Sequence, residues 1–201
     1  MLKYLLSALL LVTSAASAVT LTQLQQRFTS QPVIRADFIQ TRLIAGMPQP
    51  LTSRGELLIA QQQGLWWHQR APFAMTLLLD DKRMVQTVNG QPPQILTAEA
   101  NPQMFQFNHL LRALFEADER VLQENFTLDF QDKGEARWTL TLTPKAAPLN
   151  KIFTRIELAG ETFLQQIDLN DTQGDRTHIE FRNTRIEPPQ LNAEERARFA
   201  P

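Results

Sequence analysis

Strand alternation dominates the chain, and helical spacing interrupts it three times. Near the start, Leu21, Leu24 and Phe28 fall on one helical face, with Thr20 or Thr22 placed as cap, and Pro32 ends the segment. Alternation then takes over. Ile34, Ala36 and Phe38 share a face, and predicted strands follow at Gly55 to Ala60, Leu65 to His68, Met75 to Leu79 and Met84 to Val88, with a short one around Ile95. The run from Gly46 to Pro50, the pair Asp80-Asp81 and the hairpin signal Asn89-Gly90 supply turns. Met104, Phe107, Leu110, Leu111, Leu114 and Phe115 return to helical spacing behind Asn101-Pro102, predicting one helix within residues 102–117. Beyond it, strands are predicted from Phe126, Trp138, Ile152, Phe163 and Arg176 onward, until Pro188-Pro189 stops the sheet and Asn192 caps a short tail helix.

About nine or ten strands in hairpin order, with one helix before them and one in the middle, make an α+β fold. The expected architecture is an unclosed antiparallel β-barrel, or strongly curved sheet, partly covered by short helices. Leu65-Trp66-Trp67 puts bulky residues on both faces of one strand, so both faces are covered there or one lines a pocket. His68, next to that pair, is expected at a sheet edge. No repeat or Ser/Gly linker divides the chain.

The first eighteen residues read differently. Lys3, an apolar stretch from Leu5 to Val12 and the ending Ala16-Ser17-Ala18 match a secretory signal peptide, and the stretch is shorter than the roughly 20 residues that span a bilayer. We therefore expect residues 1–18 to be removed and residues 19–201 to form a single domain in the bacterial periplasm. It is expected to be monomeric and not membrane-embedded. The net charge of −1 gives no electrostatic case for nucleic acid or an anionic membrane as the main partner.

Composition removes most chemistry. The absence of cysteine excludes disulfides, thiol catalysis and a lipidated N-terminal cysteine. Beyond the leader only Ser30 and Ser53 remain as serines, neither in a nucleophile turn. His68, His109 and His178 lack metal-pair spacing, and the seven glycines form no phosphate loop. Asp168-Leu169-Asn170 opens like a calcium loop, but Gln173 occupies the place that needs glycine, so a polar hairpin turn around Gly174 is expected. No cofactor and no metal are expected. What remains is apolar: twelve phenylalanines and three tryptophans can pack a dry core or enclose an apolar ligand.

Four short segments resemble the LolA periplasmic lipoprotein carriers. They are Ala36-Asp37-Phe38-Ile39-Gln40, Ser53-Arg54-Gly55-Glu56-Leu57, Leu65-Trp66-Trp67-His68 with Pro72, and Leu142-Thr143-Pro144-Lys145-Ala146. The resemblance implies an unclosed barrel with a hydrophobic cavity for the acyl chains of lipoproteins or a related lipid. It also implies an inner-membrane exporter and an outer-membrane acceptor as partners, and no catalysis. Where the family has an arginine that holds a helical lid, this chain has Gln61, which implies a weaker or rewired closure.

Alternation and helical spacing select the side chains expected to line the interior. From the first strands come Phe38, Leu57, Ile59 and Trp67; from the next, Met75, Leu77 and Leu79. Leu110, Leu114 and Phe115 come from the middle helix, and Trp138 from a later strand. A lipid-sensing or regulatory module of the same fold is the alternative, and a hydrolase using Asp168, Asp175 or His178 is a distant third.

Overall fold

The computed structural model describes residues 19–80, 82–97, 99–100, 112–113, 115 and 117–200. Helix α1 (Leu21–Thr29) starts where the sequence places it: Thr20 Oγ1 accepts the Gln23 N–H at 3.2 Å, and Gln23 Oε1 accepts the Thr20 N–H at 3.0 Å. This reciprocal cap satisfies two backbone donors that a helix start leaves open. Strands β1 (Val33–Leu43), β2 (Leu51–Ala60), β3 (Gly64–Ala71), β4 (Met75–Leu79), β5 (Arg83–Val88) and β6 (Gln94–Thr97) form one meander. Strands β7 (Phe126–Gly134), β8 (Arg137–Pro144), β9 (Phe153–Gly160), β10 (Leu164–Asp171) and β11 (Arg176–Arg185) form another. The described strands therefore number eleven, slightly more than the nine or ten expected.

All pair antiparallel in one sheet, ordered β6-β5-β4-β3-β2-β1-β11-β10-β9-β8-β7. Pairing of β1 with β11, with Phe38 opposite Phe181, joins the two meanders. β6 and β7 stay at the outer edges, so the barrel is not closed. The chain between them must travel from one edge of the sheet to the other, and a β-strand cannot make that passage. Residues 112, 113 and 115 are helical, and a helix that the sequence did not reveal, α2 (Glu119–Asn125), follows under the cap of Asp118. Ala113, Ala117, Val121 and Leu122 are buried against the concave face of the sheet. Most of the middle helix expected within residues 102–117, including Met104, Leu110 and Leu114, lies outside the described residues.

The concave cluster is the main core, built on α1, α2 and the inward residues of both meanders; Phe38, Phe126, Trp138, Leu140, Leu142 and Leu158 are almost wholly buried there. Fully burying one such large apolar side chain is worth about 1.5–3 kcal/mol. A second cluster lies on the convex face. Val33, Leu58, Ala60, Trp66 and Leu78 pack there under Phe199 of helix α4 (Ala193–Phe199), while a one-turn helix α3 (Leu149–Ile152) leads into β9. Trp66 and Trp67 thus do face opposite ways, each covered. His68 corrects an expectation. It is not at an edge, because β3 pairs with β2 on one side and β4 on the other. Its ring stacks on Trp66 (5.2 Å, 14°), and its Nδ1 lies 2.9 Å from Thr76 Oγ1.

An ion pair fastens the tail to the convex face. Arg35 Nε and Nη2 donate to the two Glu195 carboxylate oxygens at 2.6 and 2.8 Å, and the same guanidinium donates to the carbonyls of Pro188 and Gln190. Both residues are buried, so the pair draws on four hydrogen bonds rather than on charge alone. The hydrogen bonds from Arg35 bring the Glu195 carboxyl down to about 2 from the usual 4.5. Arg198 from α4 lies over the Trp66 ring at 4.4 Å.

Because the folded value is depressed, the Glu195 contribution is complete above about pH 4.5 and fades as pH falls toward 2. E195Q should therefore lose on the order of 3 kcal/mol at pH 7 and show a shallower stability loss between pH 4.5 and 2, read by denaturant titration. Gly55 supplies a second test. A Cβ there would sit 1.9 Å from the His68 carbonyl oxygen and 2.8 Å from the Phe38 ring. G55A should cost at least about 3 kcal/mol, since backbone blocks the methyl and a side-chain shift cannot relieve it.

Candidate functional site

The concave face is walled by rings that touch in sequence. Phe38 stacks on Trp67 (3.7 Å, 27°), Trp67 meets Phe181 edge-on (6.3 Å, 89°), and Phe181 meets Phe115 of the middle segment (5.7 Å, 69°). A second group runs from α1 across to β8: Phe28 meets Trp138 at 6.2 Å and Phe163 at 6.5 Å, and Trp138 stacks on Phe130 at 6.4 Å. Trp138 has its indole N–H satisfied by the Glu161 carbonyl at 2.7 Å, which fixes its ring at 1% exposure.

Between the two ring groups lies an apolar cleft. Phe28 of α1 and Phe115 of the middle segment form two sides; Ile34, Ala36, Leu57, Ile59, Leu164 and Phe181 of the sheet, with Phe163 of the β9–β10 turn, form the floor, and Thr184 is at the margin. It offers about 30 Å³, space for roughly one water. Three separate pieces of chain therefore meet over an interior that is nearly filled.

Leu57, Ile59 and Phe115, all predicted, line this cleft. Phe38, Trp67, Leu77, Leu79 and Trp138 belong to the surrounding concave core, and Met75 points the same way by the alternation of β4. Leu110 and Leu114 lie outside the described residues. Sequence reasoning missed Phe28, Ile34, Ala36, Phe163, Leu164 and Phe181. Two of these were within its reach: Ile34 and Ala36 precede Phe38 by four and two residues on one strand, so its face is theirs.

Gln61 opens the β2–β3 turn and ties three pieces together. Its side-chain amide donates to the Thr29 carbonyl at the end of α1, and its backbone N–H donates to the Pro32 carbonyl at 3.1 Å. Its own carbonyl accepts from Arg112 Nη2 at 3.0 Å. Here the arginine reaches from the helical segment toward the turn.

The polar groups of β10 and β11 do something else. The Asp171 carboxylate accepts the N–H groups of Gln173 and Asp175 and so closes the expected turn around Gly174 (φ +92°). His178 Nδ1 lies 2.7 Å from Asp168 on the convex face, away from the cleft. Among the described residues no group of three His, Asp or Glu side chains could hold a metal ion. No described helix is long and apolar enough to cross a membrane.

Comparison with known proteins places the chain. The family described as outer membrane lipoprotein carrier protein LolA-like matches residues 13–181. No curated protein matches. Solved structures resemble it at low identity. A DUF1329 family protein from Desulfovibrio piger is 12% identical, with 86% of this chain and 93% of that one covered at a TM-score of 0.46. The LolA superfamily protein NE2245 from Nitrosomonas europaea is 9% identical, with 88% and 97% covered and a TM-score of 0.46. Since the family match spans most of its length, this chain belongs to the LolA-like outer-membrane lipoprotein carrier family.

Proposed function

We propose that the protein is a periplasmic carrier that takes acyl chains of lipoproteins, or of a related lipid, into its concave interior and moves them from the inner toward the outer membrane. Residues 1–18 act as the export signal, and the rest works as one domain without catalysis or cofactor. One observation carries the reading: the apolar cleft is walled by α1, the middle segment and the sheet, and among the described residues no strand pairing locks these walls together. Each CH₂ left in water costs about 0.8 kcal/mol, so an acyl chain in transit needs such a shelter. With room for about one water, the cleft has to open before a chain enters.

Cargo would lie against Leu57, Ile59 and Phe115, with Phe28 and Phe181 added to the predicted set. As the walls part, Phe38, Trp67, Met75, Leu77, Leu79, Leu110, Leu114 and Trp138 extend the apolar surface. Gln61 and Arg112 set the ease of opening, since their hydrogen bond ties the middle segment to the β2–β3 turn. A nearly filled cleft also suits the second reading, a lipid-sensing module that binds a partner rather than a cargo.

Native mass spectrometry of the protein mixed with a triacylated lipopeptide should show a one-to-one complex, and I59D should weaken it about tenfold or more by placing a charge in the apolar wall. An apo mass that ignores the lipopeptide would put the sensing module first. Stopped-flow release of a fluorescent acyl probe tests closure separately. R112A should speed release by about tenfold, the worth of one charge-assisted hydrogen bond, and Q61R should slow it by adding donors toward the Thr29 carbonyl.

A further inference from the structure

The large apolar side chains that the described residues leave exposed are not scattered. They are Leu43, Met47, Leu51, Phe73, Ile95 and Ile152, each 45–57% exposed. Antiparallel register collects them at one end of the sheet. Leu43 and Leu51 flank the β1–β2 connection and Met47 is at its tip; Phe73 is in the β3–β4 turn, and Ile95 follows the β5–β6 turn. Ile152 ends α3, whose carbonyl accepts the Thr172 N–H from the β10–β11 turn beside them. The β2–β3, β4–β5, β7–β8 and β9–β10 turns at the opposite end hold no exposed large apolar residue among those described, and carry Asp80, Glu135 and Glu161 against one base, Lys82.

Charge follows the same division. No acid stands within three residues of any of the six in sequence, whereas Arg42, Arg54, Arg70 and Lys151 stand within three residues of Leu43, Leu51, Phe73 and Ile152. All four bases are exposed, as is Arg176 opposite Leu43. Among the described residues Arg54, Lys151 and Arg176 make no ion pair; Arg70 makes a long one to Asp37 at 3.7 Å. The two acids of the β10–β11 turn are turned to internal use. Asp171 accepts N–H groups of its own turn, while Asp175 accepts the Ala45 N–H and pairs with Arg42, both at 2.9 Å. That last pair orders the apolar β1–β2 connection in advance.

We infer that this end of the sheet docks on an anionic lipid surface, with the apolar tips entering the headgroup layer and the arginines and lysine behind them meeting lipid phosphates. The tips are separate projections from four connections, each of them proline-bearing. A fluid lipid interface accepts such projections singly, and a basic collar adds attraction that anionic lipid strengthens. The chain's net charge of −1 hides this because the two ends differ.

The test is flotation of the full-length protein, purified after expression with its own leader, with vesicles of phosphatidylcholine containing one quarter phosphatidylglycerol. Binding should fall about tenfold in M47E and in F73E, and by several-fold in a combined R54Q/K151Q variant or on raising salt. Because any leader is common to all variants, only the rim can cause a difference between them. Circular dichroism should be unchanged, since Met47 and Phe73 project from connections and the side chains of Arg54 and Lys151 are exposed. Wild-type protein that fails to float at millimolar lipid overturns the proposal. That failure is the result expected if this rim serves a protein partner. Variants that float equally well, or wild-type protein that binds pure phosphatidylcholine vesicles as strongly as the anionic ones, overturn it too.

Discussion

An antiparallel sheet of eleven strands that stops short of closing has a concave face that no strand can hide, and the remainder of the architecture answers that constraint. The two meanders meet at β1 and β11, which puts β6 and β7 at opposite edges. The connection between those two edges has to cross the open side, so its helical residues join α1 as the cover. Ala113, Ala117, Val121 and Leu122 fit this role, small where the cover runs close to the sheet and larger where α2 seats itself. The cover is held by side chains and a few hydrogen bonds, the Arg112 contact to the Gln61 carbonyl among them. A wall attached in this way can be displaced without breaking a strand ladder.

The convex face is treated differently. There α4 is fixed by the Arg35–Glu195 pair, with two more guanidinium bonds to the approaching chain and the Arg198–Trp66 contact. Leaving either partner of such a pair alone would cost several kcal/mol, so this cover is in effect permanent. One sheet thus carries two covers held by different means, buried charge on one side and ring and apolar contacts on the other.

Much of this was legible in the sequence. Thr20, one of the two caps the spacing allowed, starts α1, and the alternation of Leu57 with Ile59, or Leu140 with Leu142, set the concave face because a pleated strand gives no other choice. The helix α2 was not legible, since its seven residues carry too few apolar positions to display a period. The convex core escaped for another reason. Val33, Leu58 and Leu78 fall on the face opposite the expected lining residues, and no local pattern tells that α4, remote in sequence, covers them. Cleft residues such as Phe181 and Phe28 come together only through the β1–β11 pairing, and local patterns contain no information on pairings so distant.

That same pairing governs how the chain assembles. The strands β1 to β6 can zip up from neighbour to neighbour through short turns, but β1 keeps one row of backbone donors and acceptors bare until β11 is available, roughly 140 residues later. Strands β7 to β10 zip separately in the meantime. The joining step therefore closes a very long loop at once, and high contact order of this kind slows folding. During that interval the bare flank of β1, with Ile34, Ala36 and Phe38 beside it, is the stretch most open to pairing with a second unfinished chain. Holding that flank apart from its own kind is what this topology demands of whatever chaperone meets the unfinished chain.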